Sequence, residues 1–282
     1  MEKLIPEILR GKPCPVYCPI CQANLNSKNK NSIKCLNGHR FDIADPGYIN
    51  LLAKPYQSPH RDLISTGKAL TENGLFDPLE SELLQLLYAE YKVASTLTIL
   101  DAGTGDGTVF SNMLLCMQWD QYRHQAIGLD NCSSAISMAA TKSQSVLWLL
   151  ADMAEIPLKN GSVDVILNIF APCKYSEFYR VLRPGGLILK VIPGPLHLAE
   201  LREDITDDVP DIATGFFSDY AADLKQTRVQ YQKTLTRKEM DWLVSSGHSL
   251  PKKENDNTPV DQLQKLTIDC RILSGRKSDW AY

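Results

Sequence analysis

Four residues near the start of the chain have the types and spacing of a metal site. Cys18, Cys21, Cys35 and His39 follow the pattern C-x2-C-x13-C-x3-H. A tetrahedral zinc ion can take two ligands from one short turn and two from a second, and it prefers thiolate sulfur and imidazole nitrogen. The spacing therefore predicts one zinc ion held by these four side chains, with Cys14 outside the set.

A glycine-rich segment further along has the pattern of a nucleotide-binding loop. Residues 101–107 read D-A-G-T-G-D-G and follow the apolar run 97–101, while Asp130 ends the next apolar run. Glycines let the backbone turn sharply beside a ligand, and a carboxylate at the second strand end can bind ribose hydroxyls. A dinucleotide fingerprint would need glycine where the chain has Thr108. The D-x-G-x-G pattern therefore favours S-adenosylmethionine over a dinucleotide.

Three later segments place polar or aromatic residues at the ends of predicted strands. Asp152 and Met153 could contact an adenine, although Asp152 could equally be the N-cap of a helix. Asn168 is the candidate for orienting a methyl acceptor, and Phe170 could stack on that acceptor or pack in the core. His197 is either a site residue or a structural partner. No carboxylate identifies itself as a general base, so the catalytic residue stays open.

These residues need a scaffold of alternating strands and helices. Five apolar strands and two alternating ones are predicted at 97–101, 125–130, 146–150, 163–170, 186–192, 228–236 and 265–273. Apolar strands separated by helical segments indicate a parallel sheet covered on both faces, and the alternating pair would close it as an antiparallel edge. The expected fold class is α/β, a Rossmann-like class I S-adenosylmethionine methyltransferase with an N-terminal zinc ribbon.

Composition and charge limit the setting in which the chain works. Of its 282 residues, 44% are hydrophobic and 22% are charged, with a net charge of −3. Lysine and arginine outnumber acids by eight to four in residues 1–60, so positive charge is concentrated at this end. No apolar run approaches the roughly 18 residues of a membrane span, and the cysteines form no disulfide framework. We therefore expect a cytoplasmic protein without a membrane partner.

The patterns divide the chain into three parts. Residues 1–53 form the predicted zinc-binding, RNA-recognition domain, 54–76 form a linker, and 77–282 form the methyltransferase domain. The basic charge of the first part permits an RNA-binding end, and ordinary solvated surface charge accounts for it equally well. The expected phosphate contacts are Lys28, Lys30, Lys34 and Arg40.

The motifs together resemble those of the RlmA family, which are bacterial 23S ribosomal RNA (guanine-N1)-methyltransferases. The resemblance rests on C-P-I-C at 18–21, C-x3-H-R-F-D at 35–42, G-Y-I-N-L-L at 47–52, D-A-G-T-G-D-G at 101–107, F-A-P-C-K at 170–174, L-R-P-G-G at 182–186 and P-G-P-L-H-L-A-E-L at 193–201. It implies the four zinc ligands named above and cofactor contacts at Asp106, Gly107, Asp130 and His197. Phe76 stands where the family has a tyrosine, which keeps a stacking face and loses a hydroxyl.

The motifs and the resemblance together predict two cofactors, S-adenosylmethionine and Zn²⁺. The expected contacts of the first are Phe76, Asp101, Gly103, Gly105, Asp106, Gly107, Asp130, Asp152, Met153 and His197. The resemblance implies methyl transfer to N1 of a guanine in a hairpin loop of 23S rRNA. The expected partners are that hairpin and, in a homodimer, a second copy of the chain.

Two other functions stay open at this point. A small-molecule methyltransferase could carry the ribbon as a purely structural element, and only the basic charge of residues 1–60 argues against it. A non-catalytic RNA-binding protein could carry a degenerate loop, but Gly103, Gly105, Gly107 and Asp130 are all intact.

Overall fold

The computed structural model describes most of the chain in separate stretches. They are residues 14–29, 31–52, 73–91, 96–118, 124–201, 221–236, 239 and 264–278. Most of the predicted linker at 54–76 lies outside the described residues, as do the side chains of Lys28 and Lys30. In the described part of the chain, no helix has both the length and the apolar character needed to cross a membrane.

Two sheets organise the described residues. The ribbon strands are β1 (Leu25–Asn29), β2 (Ser32–Cys35) and β3 (Arg40–Asp42). The body strands are β4 (Tyr48–Asn50), β5 (Thr98–Ala102), β6 (Gln125–Asp130), β7 (Val146–Leu150), β8 (Val163–Ile169), β9 (Leu182–Pro193), β10 (Ala221–Leu235) and β11 (Gln264–Lys277). The helices are α1 (Asp77–Glu90), α2 (Thr108–Gln118), α3 (Ser133–Lys142) and α4 (Tyr175–Val181), and a short 3-10 helix covers Ala199–Leu201.

The body sheet has the order β10-β11-β9-β8-β5-β6-β7-β4. Strands β4 to β9 are parallel, whereas β11 is antiparallel to both β9 and β10. A parallel strand covered on both faces must be apolar throughout, and all five residues of β7 are buried. The chain passes from β5 to β6 on one side and later to β8 on the other. The ligand crevice of such a sheet lies at the carboxyl ends of these strands.

The structure confirms the α/β fold and adds an eighth strand, β4, that the sequence interpretation misses. Ile49 of β4 is buried, and the strand pairs in parallel with β7. Three residues are too few for a hydrophobic pattern to be recognised. Val16 and Ile33 of the ribbon lie in one apolar cluster with side chains of the body sheet. The domain boundary at residue 53 stays a prediction, but the ribbon and the body share this core.

Candidate functional site

The four predicted zinc ligands converge. Their ligand atoms all lie within 4.8 Å of one another. His39 Nδ1 is 3.5 Å from Cys18 Sγ and 3.4 Å from Cys35 Sγ, and Cys21 Sγ is 3.7 Å from Cys35 Sγ. A tetrahedral zinc ion with Zn–S near 2.3 Å and Zn–N near 2.0 Å separates neighbouring ligand atoms by about 3.5–3.8 Å. The donor set and its spacing therefore fit Zn²⁺, and Cys14 lies outside the group.

Two tight turns bring these ligands together. In the first, Cys18 N donates to Ala23 O at 2.9 Å and Gln22 N donates to Cys18 O at 2.8 Å. In the second, Gly38 N donates to Cys35 O at 3.1 Å, and Gly38 has a φ of 88°. Such a left-handed backbone favours glycine. Since each turn is a local feature of the sequence, spacing alone is enough to identify this site.

The glycine-rich loop folds back over the end of β6. Gly103 N and Thr104 N both donate to Leu129 O, at 2.8 and 3.0 Å. Gly103, Gly105 and Gly107 all have positive φ, at 83°, 57° and 72°. A Cβ at Gly103 would overlap the Ala171 side chain, whereas a Cβ at Gly105 would meet nothing within 4 Å. The loop is thus packed tightly on one side and open on the other, as a cofactor cradle requires.

Two carboxylates lie beside this loop. Asp130 Oδ2 accepts from Gly105 N and its Oδ1 accepts from Cys132 N, each at 2.9 Å, so the acid is fixed at the end of β6. Asp101 is buried, and its Oδ1 has no hydrogen-bond partner among the described residues. Burial raises the pKa of Asp101 to about 7, and it also raises the pKa of Asp130. An orphaned buried acceptor and a fixed carboxylate fit the ammonium and ribose donors of S-adenosylmethionine.

The carboxylate of Asp106, a predicted cofactor contact, is bonded to two neighbouring side chains. Its Oδ2 accepts from Lys142 Nζ at 2.7 Å, and both oxygens accept from Thr108 at the start of α2. The carboxylate therefore joins the loop to α2 and α3. A contact between the Asp106 side chain and a cofactor stays a prediction, and its existing partners argue for a supporting role.

Asp152 and Met153 lie in the segment that follows β7. Asp152 Oδ1 accepts from Ala154 N at 2.8 Å within an exposed turn. No helix follows, so the predicted alternative of a helix N-cap is wrong. An ideal Cβ at Gly103 would lie 3.4 Å from Met153 Sδ, which places this side chain beside the loop.

An aromatic row lines the same edge of the sheet. The ring of Phe170 is 5.7 Å from that of Phe76 and 5.0 Å from that of His197. Phe170 has a φ of 52° and is 37% exposed, so it is not a core residue. A bulky side chain in left-handed backbone is a strained arrangement that is concentrated at functional sites. The row combines side chains from three distant segments. For this reason the sequence alone leaves open whether Phe170 stacks on the acceptor or packs in the core.

The amide of Asn168 is bonded to groups inside the fold. It is fully buried, and its Nδ2 donates to Ala102 O at 2.7 Å and to Pro172 O at 3.3 Å. Lys190 Nζ donates to Asn168 Oδ1 at 2.5 Å and to Ala171 O at 3.1 Å. Through these bonds Asn168 holds the loop after β8 against β5, and its role in orienting a base stays a prediction. The sequence reading missed Lys190, although a lysine inside the apolar run G-L-I-L-K-V-I is an available signal.

A glycine loop after β5, an acid at the end of the neighbouring strand β6 and an antiparallel closing pair define a class I S-adenosylmethionine-dependent methyltransferase. A methyltransferase-domain family matches residues 100–189, and the family of the RlmA N-terminal zinc ribbon matches residues 16–58. The Bacillus subtilis protein YxjB, which is named as a 23S rRNA (guanine-N1)-methyltransferase, is 30% identical over 274 residues, covering 92% of this chain and 96% of YxjB. The chain therefore belongs to the RlmA family.

Two further comparisons concern part of the sequence and the fold. The 23S rRNA (guanine(748)-N1)-methyltransferase of Streptomyces fradiae is 32% identical over 188 residues, which cover 65% of each protein. The crystal structure of YcgJ from Bacillus subtilis covers 70% of this chain and 98% of its own, with a TM-score of 0.50 and 16% identity. At that identity the likeness concerns the fold alone.

Proposed function

We propose that this enzyme transfers a methyl group from S-adenosylmethionine to N1 of a guanine in a hairpin loop of 23S rRNA. The main support is Phe170, which lies beside the glycine loop. Its backbone is strained, and its partly exposed ring offers a stacking surface for a base. Loop bases of RNA are recognised by such aromatic faces once they leave their stack. The named activities of YxjB and the Streptomyces fradiae enzyme support the same acceptor.

The chain acts mainly by alignment. When bound, S-adenosylmethionine supplies an electrophilic methyl group on its sulfonium. This cofactor would be held by residues 103–107 together with Asp101 and Asp130. The base would stack on Phe170, whose ring is supported by His197. Orienting two reactants in this way can supply about 7–11 kcal/mol of barrier reduction. The cofactor contacts named from the sequence remain part of this proposal.

The ribbon would bind the RNA. Lys34 and Arg40 are exposed on its strands, and Arg40 Nε donates to Asp42 Oδ1 at 2.9 Å. The two turns that hold zinc also present the most exposed large apolar side chains in the described chain, Ile20 at 61% and Leu36 at 76%. The zinc ligands hold the two turns together, so Ile20 and Leu36, the two tips of the ribbon, can contact unstacked bases at the same time. Lys34 and Arg40 would face phosphates.

Replacing both tips by serine, Ile20→Ser with Leu36→Ser, is expected to weaken hairpin binding. Removing two apolar contacts should raise the Kd about tenfold or more. Leu115→Ser is the matched control, since Leu115 is 57% exposed on α2, outside the ribbon. Filter binding with a 23S hairpin transcript measures the change, and metal analysis confirms that zinc is retained. Equal affinity of the tip and control variants would remove the tips from the RNA interface.

The acceptor class can be tested with purified protein and methyl-labelled S-adenosylmethionine. We expect label in protein-free 23S rRNA or its hairpin fragment, and none in free nucleosides, small phenols or quinones. Label in a small molecule without label in RNA would support the alternative in which the ribbon is only structural. A protein that binds RNA and transfers no methyl group would support the non-catalytic alternative. A homodimer, a cytoplasmic location and the division at residues 1–53, 54–76 and 77–282 also stay predictions.

A further inference from the structure

An ion pair with one buried member, the Asp269 carboxylate, lies next to the segment that carries His197. The side chain of Asp269 on β11 is completely buried, and it accepts from Arg228 Nε at 2.8 Å and from Arg228 Nη2 at 2.9 Å. Its Oδ2 also accepts from Leu196 N at 2.9 Å. Burial raises the pKa of this carboxyl, but Arg228 and the Leu196 N–H outweigh that effect, so the pKa lies below its usual value. The charge is therefore fully partnered.

The backbone of the same residue holds the segment that carries His197. Asp269 O accepts from Gly194 N at 2.7 Å, and Asp269 N donates to His197 Nδ1 at 3.4 Å. A Cβ at Gly194 would overlap the Asp269 carboxylate, so only glycine allows this close approach. One residue of β11 thus contacts the segment at Gly194, Leu196 and His197.

A second attachment follows two residues away on the strand. Thr267 O accepts from Leu198 N at 2.8 Å, and Thr267 N donates to Glu200 Oε2 at 2.9 Å. Leu198 has a φ of 55°, a strained backbone that needs such restraints. His197 lies between the two attachments, and its ring meets that of Phe170.

We propose that the Asp269–Arg228 pair is a positioning unit that fixes His197 against Phe170 and so sets the wall of the acceptor site. The unit belongs to the antiparallel pair β10–β11, and within the described residues none of its hydrogen bonds reaches the glycine-rich loop. Its effect passes through the 193–201 segment. This inference rests on the proposed role of Phe170 in holding a guanine.

The same hairpin offers a matched control. Arg276 Nη2 and Nε donate to Glu90 Oε2 at 2.7 and 3.1 Å, which ties β11 to α1. Arg276 lies seven residues beyond Asp269, about 23 Å along the strand at 3.3 Å per residue. Breaking either pair loosens the hairpin, but only the loss of Asp269–Arg228 should displace His197.

The test compares Asp269→Asn with Glu90→Gln, using ¹³C-labelled histidine. The His197 signal, assigned by its loss in His197→Gln, reports the ring contact with Phe170 without any RNA. We expect this signal to move in Asp269→Asn and to stay in Glu90→Gln. Arg228→Lys keeps the positive charge but loses the two parallel hydrogen bonds to Asp269, so it should move the signal in the same direction. This variant replaces Asp269→Asn in the test if Asp269→Asn does not fold. An unmoved His197 signal in a folded Asp269 or Arg228 variant overturns the proposal.

Kinetics on 23S RNA provide the second readout. Misplacing the wall should lower kcat/KM about tenfold to a hundredfold in Asp269→Asn. The double variant Asp269→Asn with His197→Ala should lose little more kcat/KM than His197→Ala alone, because both changes remove the same function. Losses that multiply would mean that Asp269 acts independently of His197 and would overturn the proposal. If no RNA is methylated by the unaltered enzyme, the proposed function fails, while the histidine signal still decides the positioning role.

Discussion

Replacing Gly103 by alanine is expected to abolish useful binding of S-adenosylmethionine. The residue has a φ of 83°, and an added Cβ would overlap the Ala171 side chain in the loop after β8. Left-handed backbone costs a non-glycine residue about 1–3 kcal/mol, and relieving the overlap must move one of the two loops. We expect the Kd to rise about a hundredfold or more. Calorimetric titration with the cofactor measures it.

The matched control is Gly185→Ala. Gly185 has a φ of 67°, similar to that of Gly103, but an added Cβ there would meet nothing within 4 Å. It lies in the turn near the start of β9, at the opposite end of the strands from the site. This variant should lose stability and keep its cofactor affinity. Equal affinities in both variants would separate the glycine loop from cofactor binding.

Replacing Cys35 by serine is expected to remove zinc and destabilise the whole chain. A structural zinc site contributes folding free energy directly, and the ribbon shares its apolar cluster with the body sheet through residues such as Val16 and Ile33. We expect the Tm to fall by about 10 °C or more. RNA binding should be lost, since the proposed RNA contacts depend on the two zinc turns.

Cofactor binding should survive this change at low temperature. The glycine loop takes its contacts from Leu129, Asp130 and Ala171, none of which belongs to the ribbon. Cys14→Ser is the control and should keep its zinc, because Cys14 lies outside the ligand cluster. Zinc loss in Cys14→Ser would revise the ligand set. A folded Cys35→Ser protein without cofactor affinity would make the ribbon part of the catalytic fold.

Local patterns were sufficient to predict the zinc ligands and the central strands. The ligands sit in two short turns, and the buried strands are continuous apolar runs, so neighbours along the chain determine both. The glycine loop belongs to this group because its turn and the following helix are adjacent in sequence. The strand β4 is too short for such a pattern, and only pairing with β7 defines it.

The contacts within the aromatic row could not be predicted from local patterns. Phe76, Phe170 and His197 come from three segments, and their contact depends on the order of the strands. Asn168 shows the same limit: its position at a strand end suggested a contact with the base, whereas Lys190 and Ala102 engage its amide inside the fold. Periodicity gives the burial of such residues but not their partners.

The most direct test of the assigned activity is mass spectrometry of nuclease fragments of 23S rRNA from cells with and without this protein. We expect one 1-methylguanosine, located in a hairpin-loop fragment, that is absent without the protein. It should return when the unaltered chain is supplied and stay absent when Gly103→Ala is supplied. Fragments with the same 1-methylguanosine content in both kinds of cell would contradict the account.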